Sequence, residues 1–135
     1  MTRIEEITMQ LAPLLKEKGY KKNRLNWYKQ SDGFTTVFTI QRSQFGSDLW
    51  YYCFGIGLND LETGNITTIS KCCITEKIEN TIKGKEVTAD ILQSAINRWE
   101  ERFGDMNALR KAAVEGKLPK TATRKAYSYL TAIHF

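Results

Sequence analysis

The chain has 135 residues, 41% hydrophobic and 26% charged, the make-up of one soluble globular domain (residues 1–135) that buries roughly two thirds of its unfolded surface without staples. No apolar run nears the ~18 residues of a membrane-spanning helix, and the charged start Met1-Thr2-Arg3-Ile4-Glu5-Glu6 lacks the apolar core of a secretory signal. Three cysteines, two of them the adjacent Cys72-Cys73, make no disulfide framework, so a reducing cytoplasm is the expected compartment. The net charge of +5 is unevenly spread: residues 1–30 hold seven Lys/Arg against three Glu, residues 31–105 seven against eleven acids, and residues 106–135 six against one Glu. Basic ends around an acidic centre suit phosphate or an acidic partner, and suit solvated helix faces as well.

Thr2 is placed to cap a helix over about residues 3–18, with Glu5 and Glu6 in its first turn and Ile4, Ile7, Leu11, Leu14 and Leu15 on one stripe. Pro13 removes a backbone donor from its middle, and Gly19 suits the position just past its end. Lys21-Lys22-Asn23-Arg24 then leads into a strand. Asp32-Gly33, between β-type residues, predicts a two-residue type I′ turn. That turn sets Ser31 opposite Phe34, Lys29 opposite Thr36, Trp27 opposite Phe38 and Leu25 opposite Ile40, which gathers the large apolar residues on one face. After Phe34 to about Arg42 and a connection over residues 43–48, a strand from about Leu49 to Leu58 adds Trp50, Tyr52, Phe54, Ile56 and Leu58 to the same face.

Gly55 and Gly57 on the opposite face predict a bend or a close approach of another segment. Residues 59–65 read as a turn and Ile66 to about Cys72 as a fourth strand. Over residues 73–87, the spacing of four in Ile74, Ile78 and Ile82 suits a short helical piece, whereas Gly84 and its charged neighbours suit a loop. Thr88 or Asp90 opens a helix with the stripe Ile91, Leu92, Ala95, Ile96, Trp99 and Phe103, stopped by Gly104. Asp105 caps a second helix carrying Met106, Leu109, Ala112 and Ala113 and ending at Gly116. Beyond Pro119, Thr121 or Thr123 starts a last helix with Ala126, Tyr127, Leu130 and Ile133 apolar. The fold expected is α+β: an N-terminal helix, a four-stranded antiparallel meander, then two to three C-terminal helices on its apolar face.

Four stretches carry a family resemblance: Gly19-Tyr20-Lys21-Lys22, Asn26-Trp27-Tyr28, Ile40-Gln41-Arg42-Ser43, and Tyr51 to Leu58. Together, over about residues 10–60, they resemble the bacterial family of domains of unknown function catalogued as number 4304. Its members show a helix ending in Gly-aromatic-Lys-Lys, a strand with Trp or Phe, a strand ending in Gln-x-Ser, and a strand rich in aromatics and glycine. The resemblance brings no activity and no catalytic residues. Small bacterial domains of this kind often serve as immunity proteins beside secreted toxins, an association rather than a mechanism.

The residues themselves mark no catalytic constellation, cofactor motif or metal site. The single histidine, His134, is penultimate, where chain ends are mobile and a general base is not held. Neighbouring cysteines on a strand point to opposite faces and cannot share an ion, so Cys53, Cys72 and Cys73 read as small hydrophobes. Gly55-Ile56-Gly57 lies inside a strand and lacks the rest of a phosphate-binding fingerprint. Glu5-Glu6 and Glu100-Glu101 are adjacent pairs that diverge on a helix and read as solvated faces.

The expected role is therefore a non-enzymatic, stoichiometric protein-binding domain, of which an immunity protein neutralising a cognate toxin is one form. Its contact patch would be the second sheet face, Tyr28, Val37, Thr39, Gln41 and Tyr51, unless the first helix covers that face. The alternative is RNA binding through the basic cluster Lys21, Lys22 and Arg24 with the sheet aromatics, although Trp50-Tyr51-Tyr52-Cys53-Phe54-Gly55 does not match the RNA-recognition signature.

Overall fold

A computed structural model describes residues 3–42, 50–62, 64–79, 81–82, 85–86 and 88–132. The expected readings on Thr2, Leu49, the 43–48 connection, Gly84, Ile133 and His134 fall outside these residues.

Helix α1 (Arg3–Glu17) buries Ile4, Ile7, Leu11 and Leu15, while Pro13 sits on its exposed side and the helix continues past it. It ends in a Schellman turn. Gly19 has φ +96°, Tyr20 N–H donates to Leu15 O, and Gly19 N–H donates to Lys16 O. That turn drops Tyr20 into the core beside Leu15 and starts the sheet.

The sheet has five antiparallel strands in sequence order: β1 (Lys21–Asn23), β2 (Asn26–Gln30), β3 (Phe34–Arg42), β4 (Trp50–Leu58) and β5 (Ile74–Glu79). A separate two-residue pairing joins β6 (Thr81–Ile82) and β7 (Lys85–Glu86). The β2–β3 register is the expected one, with Trp27 opposite Phe38 and Lys29 opposite Thr36. Ile40 N–H also donates to Leu25 O, and Ser31 N–H to Phe34 O. The turn type differs. Only Gly33, at φ +89°, has positive φ, so Asp32-Gly33 follows the pattern of a type II turn rather than type I′.

Two expectations about the sheet are corrected. Ile66–Cys72 is not a strand, and the fourth strand of the meander is instead Ile74–Glu79, with short β1 as a fifth member. A spacing of four is two strand periods as well as about one helical turn, so Ile74 and Ile78 fit either element. Pairing of β5 with β4, Ile56 opposite Ile74 and Tyr52 opposite Ile78, decides for the strand.

Helices α2 (Ala89–Phe103), α3 (Met106–Val114) and α4 (Arg124–Thr131) begin at Thr88, Asp105 and Thr123, whose side chains accept from the backbone N–H of Ile91, Ala108 and Ala126. The architecture is thus α+β with a five-stranded sheet and four helices. Ile91, expected on the buried stripe of α2, is exposed, and Leu92, Ala95, Ile96, Trp99 and Phe103 form the stripe without it. The core runs as a row of aromatic rings from sheet to helix: Trp27 to Phe38 (5.9 Å), Phe38 to Phe54 (5.2 Å), Phe54 to Trp99 (4.9 Å) and Trp99 to Phe103 (4.9 Å). Such pairs add about 0.5–1.5 kcal/mol each beyond burial.

Candidate functional site

The second sheet face is neither an open patch nor covered by α1. The chain between β4 and β5 folds back across it, through 3-10 turns at Asn59–Leu61 and Ile69–Lys71. Residues three apart eclipse in such turns, so Ile69 and Cys72 come down on the sheet together, and Ile66 joins them from the stretch before the second turn. The glycines make room for them. A Cβ at Gly57 would lie 2.6 Å from Ile66 Cδ1, and one at Gly55 would lie 2.7 Å from Cys72 Sγ and collide with Ile69 Cδ1. Hydrogen bonds from Thr35 Oγ1 to Asn59 Oδ1 (3.0 Å) and from Asn23 Nδ2 to Thr67 Oγ1 (3.3 Å) hold the cover down.

This corrects part of the expected contact patch. Val37 is 0% and Thr39 2% exposed, so neither offers a surface. Thr39 Oγ1 donates to Leu25 O (3.1 Å). Tyr28, Gln41 and Tyr51 remain half-buried. Strand register separates them: Tyr28 pairs with Lys21 and Val37, whereas Gln41 and Tyr51 pair with each other four residue pairs further along the sheet. Lys77 Nζ lies 4.4 Å from the centre of the Tyr51 ring. Thus the five residues form two separate partial surfaces rather than one patch.

The basic residues, in contrast, are all accessible, with Lys21 and Lys22, neighbours on a strand, pointing to opposite faces of the hairpin. Lys21, Lys22 and Arg24 are all exposed on β1 and the two-residue β1–β2 loop. Lys22 Nζ sits 5.6 Å over the Trp27 ring, and Lys21 shares a face with its cross-strand neighbour Tyr28. Arg24 holds φ +59°, the one left-handed non-glycine residue among those described. An L-residue in that conformation costs about 1–2 kcal/mol. Lysines on an edge strand also deter pairing by other chains, which is a sufficient structural reason for Lys21 and Lys22 but none for the conformation of Arg24.

A polar anchor fixes this edge to the helices. Glu100 of α2, read from sequence as part of a solvated face, accepts from Lys29 Nζ (2.8 Å) and Lys18 Nζ (3.2 Å), its side chain 22% exposed. Burial raises the Glu100 pKa, but hydrogen bonds and charge from Lys29 and Lys18 outweigh it and hold the carboxyl below its ordinary value. Burial, then the charge of Glu100 and a hydrogen bond to it, push the Tyr20 phenol far above its usual range. The Gly-Tyr-Lys-Lys stretch thereby splits into roles. Gly19 turns the chain, Tyr20 anchors under Glu100, and Lys21 and Lys22 face outward. Nothing local marks Glu100, because its partners lie 71 and 82 residues away.

The cysteines are free, and no group of three or more His, Cys, Asp or Glu able to hold a metal occurs among the described residues. Burial, then the neighbouring Cys73, Glu62 and Cys53, raises the Cys72 thiol far above its ordinary value. No helix among the described residues is long and apolar enough to cross a membrane.

A family model, described as a domain of unknown function, matches residues 11–115. The chain belongs to the DUF4304 family. The match reaches beyond the 10–60 stretch that carries the resemblance in sequence, taking in the cover over the second face, β5, α2 and α3, and stopping before α4. The DUF4304 region therefore contains both the basic hairpin and its Glu100 anchor. No curated protein and no solved structure matches this chain.

Proposed function

We propose that this DUF4304 protein is a stoichiometric protein-binding domain that meets an acidic partner surface through the β1–β2 hairpin, as an immunity protein meeting a toxin would. The observation that carries the reading is the hairpin itself: Lys21 and Lys22, from its two faces, and Arg24, from its loop, are all exposed, without an ion-pair partner among the described residues, on an edge pinned by Tyr20 and Glu100. Rim charges of this kind steer association, and the adjoining half-buried Tyr28 supplies an anchor of the type that concentrates binding energy. RNA binding through the same lysines is the second reading, favoured by a pI near 9.1. It ranks lower because the sheet face on which bases would stack is occupied by Ile66, Ile69 and Cys72.

The test compares the wild-type chain with a Lys21→Glu/Lys22→Glu/Arg24→Glu variant as bait in lysate of the native host, beside a titration of labelled single-stranded RNA at two salt concentrations. One partner retained at 1:1 by the wild type and lost by the variant is the expected result. Tight RNA binding that falls steeply with salt, with no protein retained, would reject the reading. So would a retained partner indifferent to the charge reversal.

A further inference from the structure

The cover over the second sheet face is attached differently at its ends and in its middle. The main apolar core joins α1, the first sheet face and the three later helices, and Val37, Cys53 and Ile66 lie outside it although they are buried. They belong to the second face, where Ile66 stands over Gly57, and Ile69 and Cys72 over Gly55, the cross-strand partner of Val37. Small satellite clusters of this kind form beneath long loops. Both feet of the cover, in contrast, are fixed to the main core, against which Leu61 and Cys73 pack. At the first foot, Asn59 N–H donates to Gly33 O (3.1 Å) and Tyr129 Oη of α4 to Asp60 Oδ2 (2.5 Å). At the second, Cys73 N–H donates to Ile56 O (3.0 Å), and Thr123 N–H, at the start of α4, to Cys73 O (3.0 Å). Between the feet, over residues 64–72, Ile66 is the only residue fully buried. This stretch also closes bonds within itself: Lys71 N–H to Thr68 O, Cys72 N–H to Ile69 O, and the Thr68 and Ser70 hydroxyls meeting at 2.9 Å. Gly64, at φ +82°, turns the chain into it.

We propose that residues 64–72 are a strap that lifts off the second sheet face as a unit, hinged at feet held by α4 and the main core, while the rest of the fold stays closed. Lifting uncovers Ile66, Ile69 and Cys72 and the sheet beneath them at Val37, Gly55 and Gly57. It leaves untouched the aromatic row from Trp27 to Phe103, all of which belongs to the main core. The bonds inside the strap travel with it, so opening gives up side-chain packing and the bond from Asn23 Nδ2 to Thr67 Oγ1. Segments with few buried apolar contacts open at a lower free energy than the whole molecule. Feet fixed at both ends leave a short loop to reclose, which is fast. The opened form joins Val37 to its half-buried cross-strand neighbour Tyr28 as one accessible surface. Lys21, Lys22 and Arg24 play no part in this motion, so it stands or falls apart from the hairpin reading.

The experiment labels full-length Val37→Cys with N-ethylmaleimide under native conditions and reads that thiol by mass spectrometry, which separates it from the natural cysteines. Cys72, whose sulphur lies against Gly55, is a second probe that needs no substitution. When reclosing outpaces labelling, the rate reports the open population. Global unfolding is measured on the same proteins with urea. Two substitutions separate a local opening from a global one: Ile66→Ala loosens the grip of the strap, and Ile96→Ala weakens the main core from α2, with Ile96→Val in its place if the alanine variant does not fold. The expected labelling is at least about tenfold faster than global unfolding allows, rises at least about tenfold further in Ile66→Ala, and changes by less than about twofold in the Ile96 variant. Labelling that rises with the Ile96 variant in step with global unfolding, or that ignores Ile66→Ala, would overturn the proposal. So would labelling of Val37→Cys at the rate of a fully exposed thiol, which would mean that no strap closes over it.

Discussion

Gly55→Ala tests the covered second face, on which the placement of the binding surface depends. The added Cβ would meet Cys72 Sγ at 2.7 Å and Cys72 Cβ at 2.9 Å, besides colliding with the tip of Ile69. The Ile69 tip rotates away cheaply, but a Cβ cannot move without its backbone, so part of the 59–73 cover must shift. Overpacking of this sort costs about 1–3 kcal/mol. Replacing glycine returns about 0.4–1 kcal/mol through the unfolded chain. The net expectation is a loss of about 1–2 kcal/mol, read as a fall in Tm of roughly 5 °C and a lower urea midpoint at unchanged slope. Gly57→Ala should cost less, because its obstacles are the far end of the Ile66 side chain. Cys72→Gly removes both short contacts, so in a double-mutant cycle it should recover most of the Gly55→Ala loss. A neutral or stabilising Gly55→Ala, or strict additivity with Cys72→Gly, would mean that the cover does not lie on this face. Val37 and Thr39 would then return as surface residues.

Three further outcomes follow from the same geometry. Phe38→Ala, at the centre of the aromatic row with Phe38 0% exposed, should cost about 3–5 kcal/mol by urea unfolding, and a loss under about 1 kcal/mol would remove it from the core. Arg24→Gly should raise stability by about 1 kcal/mol by relieving the left-handed backbone while weakening partner binding; lower stability would show that the side chain is held by the fold. Glu100→Gln should destabilise at neutral pH, since it strips Lys18, Lys29 and Tyr20 of their carboxylate. A depressed carboxyl pKa contributes stability above its unfolded value and loses it as pH falls through the folded value. The gap between wild type and Glu100→Gln, measured by unfolding across pH, should therefore close towards acid, and a gap independent of pH would refute the ion-pair account.

What the sequence determined by itself was local. Gly19 past the first helix, Asp32-Gly33 between β-type runs, the cap Asp105, and the caps narrowed to Thr88 or Asp90 and to Thr121 or Thr123 act through a few neighbouring bonds. Those bonds form wherever the residues stand, so element ends were legible. The alternation from Trp27 to Leu58 likewise placed one face on the core, because a strand has a period of two whatever packs on it. Gly55 and Gly57 announced that something approaches closely, though not what. Tertiary structure alone decided the rest. Lys21-Lys22-Asn23 has no apolar alternation and becomes a strand only by pairing with β2, and Ile74 and Ile78 satisfy helix and strand equally until β4 supplies hydrogen bonds. Residues 66–72 stay out of the ladder and instead set Ile66, Ile69 and Cys72 over the two glycines, an approach that only the docking of this segment on the sheet defines. Glu100 and Arg98 sit two residues apart on one helix. The first is drawn into a cluster with Lys18 and Lys29, while the second lies on the side of α2 that faces β5 and has no carboxylate partner among the described residues. Charge partners chosen across 71 or 82 residues of chain depend on where whole elements dock, and that is information no window of sequence contains.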